Sequence, residues 1–188
     1  MLNYNRALSD EKSYQDLQIK EVQPTIKLII RGKKREFFSA VGKSLNMLLP
    51  TKPNTSSQGE DLTALWLSPD EWMIYSNKTV RNDTNEYEIE KLLYKNIYKL
   101  NLGAITDVSD QFILINLKGD KVYNLFESGC PFNFNEFRKK RGSVTQTILA
   151  KIDVIIHNQN ESDVNLFVRR SFAQYLFSWI NDLSLIHI

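Results

Sequence analysis

Apolar positions in this chain recur with two periods. Ile26, Leu28 and Ile30 alternate with Lys27 and Arg31, the period of two expected of a strand with one buried face, and the run ends at Gly32. Phe37, Phe38 and Val41 then fall within one turn of one another, which predicts a helix over Lys33 to Val41. Gly42 is placed to take the left-handed conformation that ends it. Two strand-like runs follow, Thr63 to Leu67 and Glu71 to Tyr75, and then an amphipathic helix over Glu86 to Tyr98. The stretches Pro50 to Glu60 and Asn77 to Asn85 are rich in turn formers and read as surface loops.

The same order returns. Ile113, Ile115 and Leu117 alternate, Lys118-Gly119 follows, a short helix fits Val122, Leu125 and Phe126, and Gly129 stops it. Gly32 and Gly119, like Gly42 and Gly129, lie 87 positions apart. A strand over Ile148 to Ile156, with Lys151 and Asp153 as side neighbours, precedes a strand over Val164 to Arg170 and a helix over Ser171 to Leu183. That helix sets Phe172, Tyr175, Leu176, Trp179, Ile180 and Leu183 on one face, with Ser171 and Gln174 as a capping box. The pattern predicts an α+β fold of two pseudo-symmetric βαββα halves. Residues 1–25 form an N-terminal extension, 26–183 one domain with halves of about 26–100 and 101–183, and 184–188 a tail.

Composition narrows the function. With 188 residues, 42% hydrophobic and 24% charged, the chain can bury a core, and a net charge of +2 is too balanced for a general phosphate-binding surface. We therefore expect no nucleic-acid partner. No apolar run approaches a membrane span and Met1 to Lys12 lacks a secretory signal's apolar stretch, so the expected location is the cytoplasm. One cysteine, Cys130, and two histidines, His157 and His187, fall short of a structural zinc set. Gly42-Lys43-Ser44 resembles the end of a phosphate loop, but position 37 holds Phe37 where that loop needs glycine.

As a nucleophile, Cys130 would need a base such as His157, far along the chain; the alternative is a buried, inert thiol. Asp70-Glu71, Asp107 and Asp110 sit where turns and helix starts commonly hold carboxylates. The runs Lys33-Lys34-Arg35 and Arg138-Lys139-Lys140-Arg141 read as solvated faces or as contacts to an acidic partner. Arg169 and Arg170 fall on opposite faces at a strand-to-helix junction, where an arginine fork can hold a carboxylate within the chain or across an interface.

Several segments together resemble a known family. They are Ala64-Leu65-Trp66-Leu67-Ser68-Pro69-Asp70-Glu71-Trp72, Thr106-Asp107-Val108-Ser109-Asp110, Gly129-Cys130-Pro131, Thr145 to Val154 and Phe167-Val168-Arg169-Arg170-Ser171-Phe172-Ala173. In order and spacing they resemble the gamma subunits of heterotetrameric sarcosine oxidases, from about Ile26 to Leu183. The resemblance implies a noncatalytic subunit that assembles with alpha, beta and delta subunits into a complex demethylating sarcosine to glycine. It also implies FAD, FMN, NAD, tetrahydrofolate and zinc on those partners, and a fold similar to the folate-binding domain of the glycine cleavage T-protein, an aminomethyltransferase. The chain lacks the Asn-x-x-Gly-Gly-Ile and Lys-Gly-Cys-Tyr-x-Gly-Gln-Glu stretches of folate-binding relatives, having only Ser128-Gly129-Cys130-Pro131. No catalytic, cofactor-binding or metal-binding residue is therefore expected on this chain. The candidate partner-interface residues are Trp66, Trp72, Arg169 and Arg170, since tryptophan and arginine are the usual anchors of such surfaces; core filling is the alternative for the two tryptophans. A free-standing folate-binding or aminomethyltransferase-like protein is the competing function, and a small basic-patch binding module a third.

Overall fold

A computed structural model describes residues 6–8, 11–22, 24–76, 78 and 88–187. In chain order the elements are β1 (Lys12–Tyr14), β2 (Leu17–Glu21), β3 (Lys27–Arg31), α1 (Arg35–Leu45), β4 (Ser56–Gln58), β5 (Thr63–Ser68), β6 (Glu71–Tyr75) and α2 (Glu88–Leu93), which runs into a π-helical turn, Tyr94–Tyr98. Then come β7 (Ala104–Asp107), β8 (Phe112–Lys118), α3 (Val122–Glu127), α4 (Asn135–Lys139), β9 (Val144–Leu149), β10 (Ile152–Asn160), β11 (Asp163–Arg169), a 3-10 turn (Arg170–Phe172) and α5 (Ala173–His187). The described residues form two compact units, 24–110 and 6–22 with 111–187.

Each unit is an antiparallel sheet with helices packed on one face. The first has strand order β4-β5-β6-β3-β7 and the second β1-β2-β8-β11-β10-β9. Read from the β4 and β9 edges, four strands follow one permutation: β4, β5, β6 and β3 match β9, β10, β11 and β8. The predicted repeat is thus present as topology. Its fifth strand comes from opposite directions along the chain, because β7 follows the first half whereas β2 precedes it. The expected N-terminal extension therefore supplies two strands to the second sheet, with Ile19 opposite Leu117 and Leu17 and Ile19 buried.

The first core joins Leu28 and Ile30 of β3 to Phe37 and Val41 of α1, Trp72 and Ile74 of β6, and Leu93 and Ile97. The second joins Ile113, Ile115 and Leu117 of β8 to Val122 and Phe126 of α3, Val164, Leu166 and Val168 of β11, and Leu176 and Ile180 of α5. Central strands are buried on both faces, as the runs Trp72–Tyr75 and Val164–Val168 show. Lys27 is accordingly not solvated: it is 2% exposed, and its ammonium donates to the carbonyls of Thr25 and Ser109 at 3.0 and 3.2 Å.

Several local expectations are corrected. Helix α1 runs through Gly42 to Leu45, and Asn46 takes the left-handed cap instead (φ 50°), so Gly42-Lys43-Ser44 is helical rather than a loop. Helix α3 ends just before Gly129, as expected, although Gly129 takes no positive φ; glycine is needed there because a Cβ would lie 2.2 Å from the Trp179 ring. The single strand expected over Ile148 to Ile156 is a hairpin, turning at Ala150 and Lys151 with φ of 51° and 68°. Both central residues at positive φ is the conformation of a tight two-residue hairpin turn, for which Asn and Gly are the usual sequence signal and here are missing. The loop expected over Pro50 to Glu60 contains the edge strand β4, while most of Asn77 to Asn85 lies outside the described residues. Finally, α5 starts at Ala173 behind the 3-10 turn, whose N-cap Arg169 makes no side-chain cap bond, so Ser171 is not the cap. Its buried stripe is Ala173, Leu176, Phe177, Ile180 and Ser184, which leaves Phe172 and Tyr175 45% and 55% exposed. The expected tail continues this helix to His187, with the Ser184 hydroxyl donating to the Ile180 carbonyl at 2.7 Å.

Candidate functional site

The residues with intrinsic chemistry are committed to packing. Cys130 is 9% exposed, with its Sγ 3.4 Å from the Thr147 hydroxyl on the helix-covered face of the second sheet. Thr147 pairs with Val154, and His157, three residues further along β10, points to the other face. A Cys130–His157 dyad is therefore geometrically excluded. His157 is buried, its Nδ1 2.7 Å from the Gln159 amide, and burial pushes its pKa down to about 3, so the ring is neutral at physiological pH.

The carboxylates serve turns and ion pairs. Asp70 accepts a hydrogen bond from the Ser68 hydroxyl at 2.9 Å, with Arg31 at 3.5 Å and Lys33 at 3.6 Å. The Ser68 bond and those cations hold its pKa below the usual carboxylate value. Asp107 accepts from the Ser109 backbone N–H at 2.8 Å. In the second basic run, Lys139 pairs with Glu136 at 2.9 Å, and the carbonyls of Arg138 and Lys140 accept from the Asn158 amide at 3.0 Å each.

The four interface candidates separate. Trp72 is a core residue, 1% exposed, its indole N–H donating to the Pro50 carbonyl at 2.8 Å and its ring 6.0 Å from Phe37 and 5.3 Å from Phe38. It offers nothing to a partner. Trp66 is its cross-strand neighbour, half-buried against the same core. Arg170 is half-buried and heads the 3-10 turn, its N–H donating to the Gln111 carbonyl at 2.8 Å. Arg169 alone is exposed, its guanidinium 6.0 Å from the centre of the Phe112 ring. It lines a groove of about 580 Å³ with Phe112, Gln146, Ile148 and Asp153, which presents a cation, a carboxylate and apolar surface side by side.

The hydrophobic pattern did not mark a second groove, of about 630 Å³, in the first unit between α1 and the π-helical turn. Arg35, Glu36, Ser39, Lys43, Asn96 and Leu100 line it, and the Asn96 amide donates to the Ser44 hydroxyl at 2.9 Å. Bonds from Lys99 N–H to the Tyr94 carbonyl (3.1 Å) and from Leu102 N–H to the Ile97 carbonyl (3.0 Å) define the widened turn. It sets Tyr94 and Tyr98 in a stack, centroids 4.7 Å apart. An unbroken helical period through Tyr98 gives no hint of this turn; two tyrosines at i, i+4 among lysines were its only trace.

The family model described as "SoxG: Sarcosine oxidase, gamma subunit family" matches residues 32–185. This chain belongs to that family. Among solved structures, the gamma-family chain is similar to a chain of heterotetrameric sarcosine oxidase from Corynebacterium sp. U-96, determined in complex with pyrrole 2-carboxylate. The TM-score is 0.79 and the identity 20%, over 93% of this chain and 87% of that one. It is also similar to the glycine cleavage system aminomethyltransferase T from Bartonella henselae, with a TM-score of 0.61 and 14% identity over 88% of this chain but only 45% of that one. No curated protein matches the sequence. The expected kinship of fold with the aminomethyltransferase is thus present at the level of architecture. Among the described residues no helix is long and apolar enough to cross a membrane.

Proposed function

We propose that this chain is the noncatalytic, assembly-supporting gamma subunit of a cytoplasmic heterotetrameric sarcosine oxidase. Its partners are the alpha, beta and delta subunits. The complex oxidatively demethylates sarcosine to glycine, yielding hydrogen peroxide and formaldehyde or methylene-tetrahydrofolate, with FAD, FMN, NAD, tetrahydrofolate and zinc held by the partners. The observation that carries this reading is the family match over residues 32–185. Two features of the chain support the noncatalytic part: Cys130 and His157 lie on opposite sheet faces, and Asp70 is engaged by Arg31 and Lys33.

Affinity capture of the tagged chain from its native cells tests the proposal. Recovery of larger flavin-absorbing chains, with sarcosine oxidation in the eluate, is the expected result. A colourless eluate holding this chain alone, from cells that express the oxidase, would overturn it. Tetrahydrofolate binding by that isolated chain would then favour a free-standing folate-linked protein.

A further inference from the structure

The helical layer of the first unit carries exposed apolar groups that its own fold does not use. Within nine positions, Leu92, Tyr94, Tyr98 and Leu100 are 41%, 46%, 50% and 62% exposed. Leu100 lines the groove between α1 and the π-helical turn, Tyr94 and Tyr98 stack on that turn, and Leu92 precedes it on α2. A π turn is a rare departure from helical geometry, found frequently at functional sites. Here it carries Tyr94 stacked on Tyr98, both about half exposed, and large exposed aromatics are typical anchors of protein interfaces.

The charge of this surface identifies what it fits. Arg35 and Lys43 line the groove and Lys95 and Lys99 stand on the turn, with Lys99 Nζ 5.9 Å from the Tyr94 ring centre. Among the described residues none of these four cations is in an ion pair, and Glu36 is the one acidic group lining the groove. A second copy of the chain docking face to face would oppose the same positive surface and be repelled. A nucleic acid would meet Leu92 and Leu100 where a phosphate track needs cations. We propose that this groove and the stacked tyrosines form the docking surface for an acidic segment of another subunit, with an apolar side chain beside Leu100 and carboxylates against Arg35, Lys43 and Lys99. The proposal rests on the gamma-subunit reading and names the surface that reading needs.

The test uses the purified complex. A zero-length carbodiimide reagent, which joins lysine amines to carboxylates in contact, is applied and the linked peptides are sequenced. Links from Lys43, Lys95 or Lys99 to Asp or Glu of another subunit are expected. The triple variant R35E/K43E/K99E, shown by circular dichroism and melting to be folded, is expected to recover at least tenfold less partner. Y98S serves in its place if the triple variant does not fold. Wild-type retention should also fall as salt rises. Wild-type recovery by the folded variant, links only elsewhere, or links only to a second copy would overturn this surface while leaving the subunit assignment intact. A wild-type chain that recovers no partner would overturn both.

Discussion

The two halves run their strands in the same order and solve several local problems differently. At the end of β3, Gly32 gives way to the Phe37 ring, since a Cβ there would lie 2.4 Å from it. At the end of β8, 87 positions on, Gly119 has φ of +133° and lies where a Cβ would meet the Asp16 carbonyl at 2.0 Å. One glycine makes room for a side chain and the other permits a backbone shape. A loop held by the Gly59 N–H donating to the Leu62 carbonyl at 2.8 Å joins β4 to β5, while a strained two-residue turn, Ala150 and Lys151, joins β9 to β10. The first half's last helix loosens into a π turn and exposes tyrosines, whereas α5 continues as an α-helix to His187. Topology is what the repeat shares; caps, turns and surfaces diverged because each answers to its own neighbours.

The comparison can be tested from its largest effect downward. In the first half, Trp72→Ala should cost about 3–5 kcal/mol, and Trp66→Ala less than half of that. Urea unfolding of both variants checks this, and equal losses would mean that the two paired tryptophans are not divided between core and margin. At the shared glycine position, Gly119→Ala should cost about 3 kcal/mol and exceed Gly32→Ala, because a ring can shift where a carbonyl cannot. Melting curves of the pair would decide it.

A pH dependence should belong to the second half. His157 is held near a pKa of about 3 by burial, below its unfolded value, so between those two values the unfolded chain binds the extra proton. Its contribution is complete above the unfolded pKa and is lost as pH falls from about 6.5 toward 3. Wild type should lose on the order of 2 kcal/mol more than His157→Gln between pH 6.5 and 5. Parallel stability–pH curves would show that burial does not depress this histidine. Lys151→Gly should raise stability by roughly 0.5–1 kcal/mol by relieving the left-handed turn. An unchanged or lower melting point would contradict the strain. Smallest of all, Ser171→Ala should shift stability by less than about 0.5 kcal/mol, since the residue is exposed and caps nothing.

Much of the strand and helix inventory is legible in period-two and period-3.6 spacing, as with Glu71–Tyr75, which is observed as expected. What escapes are the elements whose signal is short or interrupted. Lys12–Tyr14 and Ala104–Asp107 are edge strands of three and four residues, too brief for alternation to register. Apolar residues run through Ala150, so nothing in their spacing marks the hairpin there. The interface set was read from residue type, and type does not report exposure: Trp72 is inside, while Tyr94 and Tyr98, never singled out, are outside.

By itself the sequence determined the α+β class, the repeat and its glycine spacing, and the family, because periodicity and ordered motifs are local properties written along one dimension. Tertiary structure alone decided three things. The fifth strand of each sheet comes from outside its half, Lys27 is buried on a face expected to be polar, and α5 is rotated so that Phe172 and Tyr175 face water. Each depends on what packs from a distant part of the chain, and that choice is made by burying the most apolar area over the whole fold rather than by any one segment.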